Sequence, residues 1–179
     1  MLFMMLSSTL WAQKYKLDAV HSGVHFKIQH FQSGYTWGRF NDFKGSLEWD
    51  ESNLAESKIT VEIEANSVDS NNGKRDQHLR NADFLNTKQF PTITFSSTSI
   101  EKKEDNIYLM QGELSLHGVT KSIEVELRKT GEGKDPWGGT RIGHETVFTI
   151  KRSEFGMDYN LKGIGDQVHM MISLEGVAR

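Results

Sequence analysis

Seven histidines, no cysteine and one dense polar run, Arg75-Asp76-Gln77-His78-Leu79-Arg80, hold the side chains most able to do chemistry in this chain. His21 and His25 stand four apart, a spacing that suits a metal on a helix. Both lie in an alternating segment, where residues four apart along a strand are separated by about 13 Å. Neither a His-Glu-x-x-His run nor a His-x-His pair occurs. No metal is expected, and the histidines, His30, His117, His144 and His169 among them, read as polar surface or singly hydrogen-bonded groups. Nucleophilic catalysis lacks its parts too, with no Gly-x-Ser-x-Gly elbow and no cysteine. Gly131-Glu132-Gly133 and Gly163-Ile164-Gly165 resemble fragments of phosphate loops, but neither completes the motif or opens a helix, so both read as strand-end turns. Glu62 and Glu64 share a solvated strand face. No catalytic residue is expected. The enzyme alternative, acting on a lipid, would place His78 or His144 as general base and would need that ring to face a cavity beside a polar partner.

The elements that must carry these residues alternate with period two. Val24, Phe26 and Ile28 interleave with His25, Lys27 and Gln29; Phe43, Gly45, Leu47 and Trp49 interleave with Lys44, Ser46 and Glu48. The rhythm returns near residues 59–65, 93–95, 108–116, 123–127, 142–150 and 168–174. About eight half-buried strands are predicted, one face apolar and the other charged. Turn residues fall between them at Ser33-Gly34, Asp50-Glu51-Ser52-Asn53, Glu104-Asp105-Asn106 and His117-Gly118. Sixteen glycines against two prolines fit many tight turns between unbroken strands. The expected class is all-β, an antiparallel meander closing into a barrel or a sandwich, with no βαβ crossover. Residues 67–90 break the alternation. There a short helix over about 76–85, with Asp76 as its N-cap, is expected to lie across one end.

The 179 residues favour one domain. A net charge of −3 without a basic block argues against nucleic acid. Residues 1–12, MLFMMLSSTLWA, are too short to span a bilayer and read as a signal peptide closing at Ala12, though no Lys or Arg precedes Lys14, so its true start could lie upstream. The barrel domain then runs over residues 13–179. Ten Phe, seven Met and four Trp supply ample inward matter. An eight-stranded barrel is either filled by its side chains or holds one small ligand, and composition allows both.

A series of motifs in sequence order resembles the YceI-like family, the lipocalin-like polyisoprenoid-binding proteins of the bacterial periplasm. It opens with Asp18 to Phe26 (DAVHSGVHF) and Gly38-Arg39-Phe40 with Phe43-x-Gly45. Ser67-Val68-Asp69 and Arg75-Asp76-x-His78-Leu79-Arg80 follow, then Phe90-Pro91-Thr92-Ile93-Thr94-Phe95-x-Ser97. Gly112-x-Leu114-Ser115-Leu116-His117-Gly118 and Ile150 to Met157 complete it, with Asp166-x-Val168. Ser70 and Lys151 depart from the commoner Thr and Asn. The Gly-x-Trp of true lipocalins is absent.

The resemblance implies an extended eight-stranded antiparallel barrel around an apolar tunnel, and a periplasmic or secreted location. It implies non-catalytic binding of a long isoprenoid, a quinone or polyprenyl phosphate, with no cofactor besides such a lipid. The strand edges also allow a homodimer. Tunnel-wall candidates are the inward apolar residues. They are Val24, Phe26 and Ile28; Phe43; Ile93 and Phe95; Tyr108, Met110 and Leu114; Phe148 and Ile150; and Met170 and Ile172. Closed-core packing competes at each of them. The Arg75, Asp76, His78 and Arg80 group could form a lid with cations for a head-group phosphate, or an ion-pair network pinning the helix. The second role is favoured, since local pairs are common where such residues cluster.

Overall fold

The computed structural model describes residues 12–178, so the expected signal segment lies outside the described residues except for Ala12. Eleven strands make eight staves of one closed antiparallel barrel. The first three staves are each interrupted once. β1 (Gln13–Leu17) and β2 (Gly23–His30) are successive stretches of the first, both paired to the last strand. β3 (Gly34–Phe40) and β4 (Phe43–Trp49) form the second, and β5 (Lys58–Glu64) and β6 (Val68–Asp69) the third. The remaining staves are β7 (Thr92–Glu104), β8 (Ile107–Leu116), β9 (Val119–Lys134), β10 (Thr140–Lys151) and β11 (Ile164–Ala178). Each pairs with its neighbour in sequence order, and β11 returns to β1 through Lys16↔Val177. The expected meander therefore closes into a barrel and not a sandwich.

Local chemistry explains the connections. His117 and Gly118 both have positive φ (53° and 76°), the geometry of a two-residue turn whose twist matches its strands. Asn106 adopts φ 62° between β7 and β8, a conformation Asn tolerates better than most side chains. The two prolines, Pro91 and Pro136, fall in loops, where a missing N–H breaks no ladder.

The helix differs from expectation. α1 runs Gly73–Leu79, and its N-cap is Asn72, whose side chain accepts the Arg75 N–H at 3.0 Å. Asp76 is instead buried inside the helix and accepts hydrogen bonds from the Ser70 N–H (2.8 Å) and hydroxyl. Asn72 takes the cap because its amide oxygen reaches the free Arg75 N–H three residues on, while Asp76 faces the preceding loop. Beyond Leu79 the chain proceeds by turns, among them Phe84 N–H to Asn81 O and Leu85 N–H to Leu79 O.

The break in the first stave is closed by the Asp18-x-x-His21-Ser22 motif. The Asp18 carboxylate accepts from Val20 N–H (3.0 Å), binds the His21 ring (2.9 Å) and receives Arg141 from β10 (2.9 Å). The Ser22 hydroxyl accepts the Glu175 N–H at 2.9 Å, which ties the break to β11. Asp18, His21 and Glu175 bring ligand-type atoms together, but the Arg141 guanidinium already pairs with both carboxylates there.

Candidate functional site

The barrel is not filled. Its axis holds a cavity of about 500 Å³, within the size range of small-molecule sites. Ten of the wall candidates line it: Phe26, Ile28, Ile93, Phe95, Met110, Leu114, Phe148, Ile150, Met170 and Ile172. Strand alternation puts them there, since inward positions recur every second residue on β2, β7, β8, β10 and β11. Val24, Phe43 and Tyr108 are buried but lie off the cavity wall. Val24 and Phe43 flank the breaks in the first two staves. Tyr108 belongs to the floor.

The two ends of the cavity differ. At the α1 end the lining includes exposed residues, Gln29, His30, Lys74 and Arg75, so the mouth is here. At the other end it is bounded by Ile59, Leu127, Leu174 and His144, all buried. Beneath them Trp49 packs edge-on against Tyr108 (centroids 4.9 Å) and tilted over the His144 ring (4.4 Å). Both aromatic polar atoms turn away from the cavity: Trp49 Nε1 donates to Glu51 at 3.2 Å, and the Tyr108 hydroxyl donates to the same carboxylate. Lys129 bridges Glu51 (3.3 Å) and Glu132 (3.0 Å), and the Tyr15 hydroxyl donates to Glu132 at 3.1 Å. Burial, reinforced by Glu132, pushes the Tyr15 hydroxyl up to about 12. The floor is an aromatic plate with a self-satisfied ionic network below it.

At the mouth, the charged run acts chiefly as a fastener. Arg75 donates to the Ser70 hydroxyl (2.7 Å) and carbonyl (2.5 Å). Arg80 donates to the carbonyls of Asn66 (2.8 Å) and Val68 (2.9 Å) and lies off the cavity wall. His78 lines the mouth, paired with Asp83 at 2.9 Å and packed edge-on to Phe84 and Tyr159. Lys74 lines the mouth without an ion pair among the described residues.

The lining also includes residues not expected there from the sequence, among them Ile59, Val61 and Ile63 on β5, Ile123, Val125 and Leu127 on β9, and Arg152 at the mouth. Arg152, at the end of β10, is only 2% exposed and lines the mouth. Its guanidinium donates to the carbonyls of Gly165 (2.9 Å), Met157 (2.6 Å), Tyr159 (2.8 Å) and Ile164 (3.0 Å), knitting the β10–β11 connection into a rim. An arginine between Ile150 and Phe155 was the only local sign of it. His144, one of the two candidate bases, is the one histidine among the described residues that is buried with both ring nitrogens unpartnered, where a polar surface or singly bonded group was expected.

Burial, helped by Lys129 and opposed by Glu51 and Glu132, holds the His144 imidazole down at about 4. Between pH 6.5 and 4 the unfolded chain takes up a proton that folded His144 refuses, so stability falls as pH falls through that window. At roughly 1.4 kcal/mol per unit, the loss is of order 3 kcal/mol. Asp18, held at about 2 by the hydrogen bonds from His21 and Arg141, adds a separate loss below its ordinary value of 3.8. Denaturant midpoints measured against pH are expected to show both limbs, and His144→Phe to remove the upper one alone. A wild-type curve flat from pH 6.5 to 4 contradicts this.

Residues 15–176 match the family model described as the YceI-like domain. A relative from Escherichia coli (strain UMN026), named Protein YceI, is 45% identical over 170 residues, covering 93% of this chain and 87% of that protein. The crystal structure of the YceI protein of Campylobacter jejuni superposes with a TM-score of 0.76 at 32% identity, over 92% of this chain and 98% of that one. A domain from Saccharophagus degradans, described as polyisoprenoid binding, shares the fold at TM-score 0.73 and 17% identity, covering 92% and 98%. With a closed eight-stave barrel, an apolar cavity and a sequence match spanning nearly all described residues, the chain belongs to the YceI-like family.

Proposed function

We propose that this protein is a non-catalytic carrier or store for a long lipophilic molecule, an isoprenoid such as a quinone or polyprenyl phosphate, held inside the barrel in the periplasm or a secreted setting. The observation that carries this reading is the open apolar cavity along the barrel axis. Each buried CH₂ contributes about 0.8 kcal/mol, so ten of them supply roughly 8 kcal/mol, already the micromolar range, without a polar clamp. The isoprenoid-binding description of the Saccharophagus degradans domain supports the choice of ligand class. The periplasmic address accords with the family resemblance. Of the two histidines considered as bases, His144 has no polar partner among the described residues. His78 lines the mouth beside Asp83 at 2.9 Å and is the one a lipid-acting enzyme would use. Under the carrier reading, His78→Ala is expected to leave ligand affinity and lipid turnover both unchanged.

Mass spectrometry of solvent extracts from natively purified protein is expected to find a prenyl lipid, and the emptied protein to rebind one at micromolar concentration. Protein that is repeatedly empty and binds no prenyl chain contradicts the proposal.

A further inference from the structure

His144 is out of keeping with the rest of the interior. Its ring is 0% exposed, on the inward face of β10 at the blind end of the cavity, and neither nitrogen has a partner among the described residues. Buried polar groups are nearly always hydrogen-bonded, and one left unpaired destabilises the fold. The neighbouring groups offer it nothing. Thr146, two positions along the same inward face, spends its hydroxyl on the Glu126 carbonyl at 2.7 Å. Trp49 lies over the ring but points its N–H at Glu51. The rest of the blind end is aliphatic: Ile59, Leu127 and Leu174.

The chemistry of an occupant follows from what the ring and its surroundings supply. A neutral imidazole carries one N–H donor and one bare nitrogen acceptor. The ionic groups below the floor, Glu51, Glu132 and Lys129, are already paired with one another. An anionic head at this depth would therefore be buried without a counter-charge, which is strongly disfavoured. The mouth presents the opposite conditions, with Lys74, which has no ion pair among the described residues, beside solvent. An uncharged oxygen fits the blind end, and a phosphate fits the mouth.

We propose that His144 forms a hydrogen-bonding subsite at the blind end of the cavity for an uncharged hydroxyl or carbonyl oxygen, so that the barrel prefers long-chain amphiphiles whose neutral polar terminus enters first. This rests on the lipid-binding reading above and deepens it.

The test uses the full folded protein, stripped of lipid, and three probes of one C20 prenyl skeleton: geranylgeraniol, the corresponding hydrocarbon, and geranylgeranyl phosphate. Affinities are read from tryptophan fluorescence, and the His144 ring from its ¹⁵N chemical shifts. The alcohol is expected to bind about tenfold more tightly than the hydrocarbon, the worth of one buried hydrogen bond. It should also move the His144 ring nitrogens, whereas the hydrocarbon and the phosphate should not. His144→Phe should abolish the alcohol's advantage over the hydrocarbon measured in the same variant, and His144→Gln should restore part of it. Hydrocarbon binding by each variant doubles as the check of its fold, and the wild-type ring shifts stand if a variant does not fold.

Equal wild-type affinity for alcohol and hydrocarbon, a preference that survives in His144→Phe, or ring shifts produced by the phosphate each overturn the subsite while lipid binding stands. Failure of all three probes to bind overturns the lipid-binding reading, and the subsite with it.

Discussion

Replacing Arg152 by methionine is expected to destabilise the protein by about 3–5 kcal/mol, since an unpaired buried polar group costs about 1–3 kcal/mol. At roughly 2–4 °C per kcal/mol for a chain of this size, the Tm should drop by about 10 °C. Methionine matches much of the arginine's length but has no donor. Four inward carbonyls, those of Gly165, Met157, Tyr159 and Ile164, would lose their guanidinium partner together. Relief of the buried cation's desolvation works the other way, since burial presses the guanidinium pKa down while Asp166 and Asp158 oppose it. The carbonyls prevail because they belong to the main chain and cannot be exchanged for apolar groups, as the partner in an ion pair can. Arg152→Lys should fall between, because one ammonium cannot reproduce a planar fork spread over four acceptors. Thermal unfolding followed by circular dichroism measures the loss. Hydrogen exchange should localise it to residues 156–165, the rim at the mouth. A Tm within about 2 °C of wild type would show that the knot contributes little.

A block halfway along the cavity is expected to have the largest effect on binding. Met170 lies on β11 between its cross-strand partners Phe148 on β10 and Phe26 on β2, and all three line the cavity. Met170→Trp would place an indole across the axis and deny a ligand the space toward His144. Displacing four methylenes removes about 3 kcal/mol, roughly a hundredfold in Kd. A C20 prenyl hydrocarbon, which makes no bond to His144, should lose that much, whereas a C10 hydrocarbon, short enough to stay above the block, should lose little. The substitution fills existing space, so stability should change far less than it would on overpacking a closed core. Met170→Ala, which widens the same point, should keep the C20 affinity. Equal losses for C10 and C20 chains would mean that the ligand does not lie along the axis.

Much of the barrel was legible because strand geometry is a local rule. Once Val24, Phe26 and Ile28 alternate with His25, Lys27 and Gln29, the inward face is set by period two, whatever the partner strand. On β2, β7, β8, β10 and β11 the same rule gave ten residues that line the cavity, though not the lining on β5 and β9. It erred at Val24, Phe43 and Tyr108 because facing inward does not say whether a side chain meets a neighbour or open space. Tyr108 meets Trp49 and Glu51, which are 59 and 57 positions away in sequence. From the sequence the helix starts about three residues late and ends at 85, not 79. Asn72 and Asp76 are both good caps, and only the loop at Ser70 decides which one faces the open donors.

Alternation, turn residues, glycine against proline and the absence of cysteine determined by themselves an all-β chain of about eight staves with an apolar inward face. Those are properties of neighbours along the chain. Closure of β11 onto β1, the cavity left on the axis and its blind and open ends were decided only by the tertiary structure. So were the four carbonyls gathered by Arg152 and the isolation of His144. Each depends on which distant backbone atoms and side-chain volumes arrive at one point, and a polar residue's partners at that point are not encoded by its own spacing. The sequence offers His144 only as one of two candidate bases, and it is the tertiary structure that buries it with no partner for either ring nitrogen among the described residues.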